Sequence, residues 1–526
     1  MATTAEYTGC GEWEELVGAA LLGTERRQGD PAALLDAAAV QTVRRRAGLR
    51  PAEAGPRPLP APADPRPEPP GPARRRLARL LAGRTGTGSG SGRRGAAPDL
   101  TELLPQWLSA AGRHGYRAPA ALLPALLDAA RARTDLRPQA VALAGPRGLW
   151  LARLNPDWRF ALRGGAAGGA LPDLEDGAGV EQLWQEGLFA ERVALLGAVR
   201  AHEPAAAVRL LSGTWTTERA EDRLMFLDSL RVGLSEQDEP FLEAALGDRS
   251  RNVRATAAEL LSALPGSALA GRMARRAVAC VGPQGVVPPA ECDAGMLRDG
   301  VAKRPPAGRG ERAWWLGQLV EAAPLSCWRE RFGGLDPERI VALPMADGES
   351  WREELHAAWC RAAVRQRDAE WSRALLGAAS APPATAPGTA SLAERAKLLS
   401  VLPDGERADW VARFIRAHGL SEAFQLLGVC VVPWAGALGR AVVDALDAAR
   451  EAGSYPWSFS GVMGLAERCL DPAEAGRLEA LTTAAEYPED GAAGAAAYWA
   501  EAFQRLVATL RLRAAMLAEL DPAPPA

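Results

Sequence analysis

LGDRSRNVRATAAELLSALP, Leu246 to Pro265, is the stretch whose reading decides the fold. Asp248 sits in a short polar break. After it, Val253, Ala257, Leu260, Leu261 and Leu264 recur at three- and four-residue spacing, which places them on one face of a helix. The first amides of a helix have no backbone partner, so a tight turn before it needs a side-chain acceptor, and Asp248 is one. The segment just upstream, DEPFLEAALGD from Asp238, has an earlier counterpart in HEPAAAVRLLSGTW from His202. Glu203-Pro204 and Glu239-Pro240 are offset by 36 residues, as are Leu210 and Leu246. A second amphipathic run follows the earlier segment too, with Leu224, Leu227 and Leu230. Helix pairs recurring at this period predict an α-solenoid.

The stretch resembles a HEAT repeat. On that resemblance Asp248 closes the turn, Val253-Arg254 enters the second helix, and Ala257-Ala258 is the small pair that lets helices approach. Leu261 completes the repeat's apolar face. The expected joint is a ladder, in which an Arg in the first turn, such as Arg254, reaches the Asp of the next repeat's turn.

The rest of the chain agrees with an all-α class. Of 526 residues 48% are hydrophobic and 6% aromatic, and isoleucine occurs only at Ile340 and Ile415. Alanine and leucine carry the apolar content, and they lose little entropy in helices. A net charge of -3 excludes a whole-chain polycation, and the apolar fraction excludes whole-chain disorder. Seven scattered cysteines without a C-x-x-C pair fit a reduced cytosolic protein. The first residues are acidic where a signal peptide is basic. The longest apolar run, Leu426 to Leu438, is too short for a bilayer and is broken at Pro433. A cytoplasmic protein with no membrane association is expected.

Five segments follow. Residues 1–50 read as two helices, the second starting at Asp30-Pro31. Residues 51–98 read as a disordered Pro/Gly/Arg-rich flexible linker, polyproline to Ala73, with a short basic helix over Arg74 to Leu81 and then GRTGTGSGSGRRG. Residues 99–180 are helical with an ordered Trp-containing loop, GPRGLWLARLNPDWRF, Gly145 to Phe160. Residues 181–330 carry the HEAT-like repeats, including a long Gly/Pro loop over 278–312. Residues 331–526 are a divergent helical array, in which Asp404, Ser458 and Asp471 are candidate caps.

Three stretches together resemble an uncharacterised, actinomycete-rich bacterial family. They are WEELVGAALLGTERRQ (Trp13 to Gln28), GLWLARLNPDW (Gly148 to Trp158) and SEQDEPFLEAALGDRSRNVRATAAELLSALPGS (Ser235 to Ser267). The resemblance implies a gene neighbourhood of SWIM zinc-finger proteins, MoxR-type AAA+ ATPases and von Willebrand A-domain proteins. It supplies no catalytic residues.

Candidate chemistry is thin. Gly86 to Gly90, GTGSG, lacks the Lys and the preceding strand of a phosphate loop. His356 and Cys360 share a helix face near Glu353, but Trp351 and Trp359 beside them favour a core role over a metal site. Cys280 and Cys292 lack a second pair. No G-x-S-x-G elbow occurs. Carboxylate pairs such as Glu14-Glu15 and Asp238-Glu239 suit helix starts. No catalytic set, metal or cofactor is therefore expected.

Charge and tryptophan are unevenly placed. Residues 40–97 hold 13 arginines against Glu53, Asp64 and Glu68, a net of +10, leaving -13 elsewhere. This basic arm suits an acidic partner or rests on the chain's own acidic body. Trp150 and Trp158, among 16 tryptophans, form either a docking patch or a plug that folds back on the helices. The favoured function is a non-enzymatic protein–protein interaction scaffold, with the SWIM, MoxR and von Willebrand proteins as partners. The alternatives are a nucleic-acid-binding HEAT-like protein using the arm with Arg249, Arg251 and Arg254, or a hydrolase with an unrecognised site.

Overall fold

Pro204 and Pro240 both stand in the first turn of a helix, where a backbone N–H is not needed. In the computed structural model these helices are Pro204–Thr214 and Glu239–Ala245, and the amphipathic runs after them are Ala220–Ser229 and Arg251–Ser262. The structure describes residues 11–22, 31–46, 58–82, 100–163, 174–344, 350–381, 391–483 and 493–521. Among these are 26 α-helices and one two-stranded hairpin, Val281–Gly282 with Gly285–Val286, so the fold is all-α. None of these helices is long and apolar enough to cross a membrane.

Residues 1–61 and 62–526 form two units. In the first, Gly11–Leu22 packs on Pro31–Arg46, the two helices that the sequence predicts. Asp30 lies outside the described residues.

The second unit has two apolar cores. The larger runs from Val180 to Leu510. Its helices mostly pack on near neighbours in sequence: Phe189–His202 on Ala220–Ser229, that helix on Arg251–Ser262, and Ala268–Cys280 on Glu311–Ala322. Residues 330 and 331 mark no change of core, because Glu311–Ala322 packs on Ser350–Gln366 within the same cluster. The stretch expected to be a long loop holds the hairpin and a short helix, Ala294–Arg298. Asp404 is the first helical residue after a Pro403 cap, and Ser458 lies within a turn of helix, while Asp471 does cap, accepting the Ala473 amide.

The joints between these helices differ from the expected ladder. Asp248 Oδ1 accepts the Ser250 amide at 2.7 Å, as the turn requires. Arg254, however, bends back and donates to the carbonyls of Asp248 and Arg249 at 2.7 and 3.1 Å. A guanidinium in the first helical turn finds those loose carbonyls before it can reach a neighbouring repeat. Asp248 is met instead by Arg223, from the Ala220–Ser229 helix, at 2.9 Å. Before the Glu239–Ala245 helix, Arg200 pairs with Asp238 at 2.5 Å, their side chains 0% and 1% exposed. Arg200 also donates to the carbonyls of Pro204, Leu230, Val232 and Gly233. Ala258 is approached closely by a turn, not a helix: a Cβ at Gly300 would lie 2.4 Å from that of Ala258.

The second core spans Ala73 to Ala161 and is completed by Met516 and Leu520. Here two expectations fail. Residues 62–82 are not a free linker. The Gly71–Ala82 helix buries Ala73, Leu77, Leu80 and Leu81. The proline-rich residues before it form an extended strap with Pro69 buried. Residues 83–99 lie outside the described residues.

Gly145 to Phe160 is not a loop either. Arg137–Leu154 is helical, with a kink at Gly145 (φ 59°), and a short turn of helix, Pro156–Trp158, follows. The strap explains the kink. Pro146 has no N–H for the Ala142 carbonyl, and Arg66 Nη1 supplies a donor at 2.8 Å. The Leu143 carbonyl takes the Ala118 amide at 2.8 Å. Asp64 holds Arg66 at 2.7 Å, and a Cβ at Gly145 would lie 2.2 Å from the guanidinium. Prolines leave few amides to satisfy, so this strap can lie on the kink without joining a helix or sheet.

The last helix, Ala493–Ala518, feeds both cores, with Trp499, Phe503 and Leu510 in the larger and Met516 in the smaller. Arg76 pairs with Glu519 at 2.5 Å, and the Tyr116 hydroxyl donates to the Leu520 carbonyl at 2.9 Å. Buried Arg513 donates to Gln106 and to the Leu470 carbonyl, at 2.8 and 2.5 Å.

Candidate functional site

The Ser350–Gln366 helix ends without a glycine. Arg367 takes the left-handed position (φ 53°) after it. The Asp368 amide then donates to the Ala363 carbonyl at 2.9 Å and the Arg367 amide to that of Val364 at 3.4 Å, the bonds of a Schellman end. Gln366 pins the turn after the neighbouring helix, donating to the Ala323 carbonyl at 2.9 Å and accepting the Leu325 amide at 3.0 Å.

These residues form one wall of an open cleft of about 960 Å³. The other walls come from the Arg231–Leu234 turn, the end of Arg251–Ser262, Glu321, and the Leu392–Val401 helix through Glu394 and Lys397. Leu260 and Leu264 back the cleft from the core, Val364 is half-buried, and Val232, 58% exposed, stands in it.

Most charges in the cleft are tied. Arg231 donates to Asp228 and Glu259 at 2.7 and 3.0 Å. Arg361 and Arg365 share Glu321, and Arg365 also reaches the Ser262 hydroxyl at 3.0 Å. Glu394 accepts the Ser391 amide at 2.9 Å, as a capping box does. Arg367 and Lys397 are exposed and have no ion-pair partner among the described residues. Burial, with help from the Glu394 carboxylate, pushes the Cys360 thiol up to about 12. It is a neutral thiol near pH 7 and a poor nucleophile.

The residues singled out from sequence lie elsewhere. Trp158 is half-buried on the second core, its indole donating to Asp128 at 2.9 Å, and Trp150 is half-buried on the kinked helix. Arg249 and Arg251 are exposed, and Arg254 is spent on its own turn. Of the basic arm, Arg66, Arg74 and Arg76 pair with Asp64, Glu68 and Glu519. His356 Nε2 lies 3.1 Å from the Val341 carbonyl, its ring tilted against Trp359. No group of three or more His, Cys, Asp or Glu among the described residues is placed to hold a metal. Gly86 to Gly90 lies outside the described residues. The cleft residues Arg231, Glu321, Arg361, Arg365, Arg367 and Lys397 escaped the sequence reading. The available signals were a helix ending in QRD with no glycine, and Lys397 as one of only two lysines.

A family model described as a family of unknown function, DUF5691, matches residues 15–520. The chain belongs to this family. The DUF5691 match takes in both cores and the whole cleft. No curated protein and no solved structure matches the chain.

Proposed function

We propose that this DUF5691 member is a non-enzymatic, cytoplasmic interaction scaffold. In this reading the larger core is a HEAT-like α-solenoid, and the partner is a protein of a MoxR-type ATPase, von Willebrand A-domain and SWIM system. The observation that carries it is the cleft: one open concavity crosses five elements between Arg231 and Lys397. Such a surface binds by area along its length. The 36-residue offset of the helix starts supports the HEAT-like reading. The raised Cys360 thiol supports a binding role over nucleophilic chemistry.

Affinity capture of the tagged full chain from its native host, read by mass spectrometry, tests this. Wild type is expected to retain a protein of one of those three classes. Val232→Trp, which fills the cleft from an exposed position, is expected to lose it while melting as wild type does. Recovery of none of the three by wild type, or equal recovery by Val232→Trp, counts against the proposal.

A further inference from the structure

We infer that the cleft takes an extended acidic segment of a partner protein, gripped by Arg367 and Lys397; this rests on the interaction reading above. Five cationic and three anionic side chains line the cleft. The three carboxylates are engaged within the chain, by Arg231, by Arg361 with Arg365, and by the Ser391 amide. What remains on offer is positive, Arg367 and Lys397, in a cleft whose exposed apolar surface comes from Val232 and Val364. A segment that alternates carboxylates with aliphatic side chains complements both features.

Arg367 adds an independent observation. It holds a left-handed backbone position that strains a side-chain-bearing residue and suits glycine. Its side chain forms no ion pair among the described residues that would offset the strain, and it borders the cleft. Strain kept at the edge of a binding surface, for an unpaired cation, fits a residue retained for its charge.

A nucleic acid is the poorer occupant. No aromatic side chain lines the cleft for base stacking, and fixed carboxylates interrupt the cations that a continuous phosphate backbone would follow.

The test measures fluorescence anisotropy of the full-length protein with three labelled probes. These are a short peptide alternating glutamate with leucine and alanine, its lysine counterpart, and a single-stranded oligonucleotide. The acidic peptide is expected to bind in a salt-sensitive way, the basic one not to bind. Arg367→Gly keeps or raises the melting temperature, because glycine relieves the turn. Together with Lys397→Glu it is expected to weaken acidic-peptide binding roughly tenfold or more. Equal binding of both peptides, binding indifferent to the two substitutions, or binding of the oligonucleotide alone overturns the inference. The same double variant in the capture experiment separates the two ideas. If Val232→Trp loses the partner while the double variant keeps it, and the acidic peptide does not bind, the acidic ligand is wrong and the scaffold reading stands.

Discussion

The larger core and the strapped layer join their helices in contrasting ways. In the larger core, an arginine on one helix meets an aspartate just before a later helix: Arg200 with Asp238, Arg223 with Asp248. The partners lie 38 and 25 residues apart. In the strapped layer, Arg66 crosses 76 residues to the Ala142 carbonyl, and Tyr116 crosses 404 to that of Leu520. The first kind of joint ties neighbours in sequence and can be repeated. The second is satisfied only when distant parts of the layer meet.

The largest expected effect breaks a joint of the first kind. Arg200→Leu leaves Asp238 buried without its partner, and removing one member of a buried pair costs about 3–5 kcal/mol. Urea unfolding should show that loss. Hydrogen exchange should show faster opening around residues 189–262 with little change in the Gly71–Ala82 helix. Equal acceleration in both regions would mean that the two cores do not differ as their joints suggest.

Next come substitutions at the kink. Gly145→Ala puts a side chain at positive φ and into the Arg66 guanidinium, for an expected loss of about 2 kcal/mol. Arg66→Ala leaves the Ala142 carbonyl without its donor, for a loss of about 1–3 kcal/mol. The two should not add. Once Arg66 is gone the closest clash of the alanine at 145 is removed and Asp64 Oδ2, 2.6 Å from the new Cβ, is freed to move aside, so the double variant should be more stable than the sum of its parts. Additive losses would show that the strap does not bear on the kink.

How far each region could be read in advance follows from the same contrast. The Asp248 turn, the Pro204 and Pro240 helix starts and the Asp471 cap are local chemistry, written within a few residues. The buried role of Arg200 is not local: RAHEP reads as a solvated helix end until Asp238 is brought beside it. The strap was misread because proline content reports only what a segment cannot form, not what it rests on. One clue was present. Pro146 orphans the Ala142 carbonyl wherever helix surrounds it, so a donor had to arrive from elsewhere. The cleft was the least legible, since its cations come from elements over 160 residues apart in their extremes, Arg231 and Lys397.

The smallest expected effect concerns acid. Burial raises the Asp299 carboxyl, but hydrogen bonds from Arg272 and Arg276 outweigh it and hold the group below the usual carboxylate range. Asp64 is likewise held low, chiefly by the Arg66 hydrogen bond. A carboxyl lowered on folding contributes stability that is fully present above its ordinary value of about 4 and is lost as pH falls through the folded value. Both joints should therefore weaken in acid, but not equally. Arg66 is two residues from Asp64, so the unfolded chain keeps part of that attraction and the difference between states shrinks. Arg272 and Arg276 lie 27 and 23 residues from Asp299 and meet it only when folded. Asp299→Asn should then flatten the acid side of the stability profile more than Asp64→Asn. Equal flattening would mean that the short-range pair is as dependent on the fold as the long-range one.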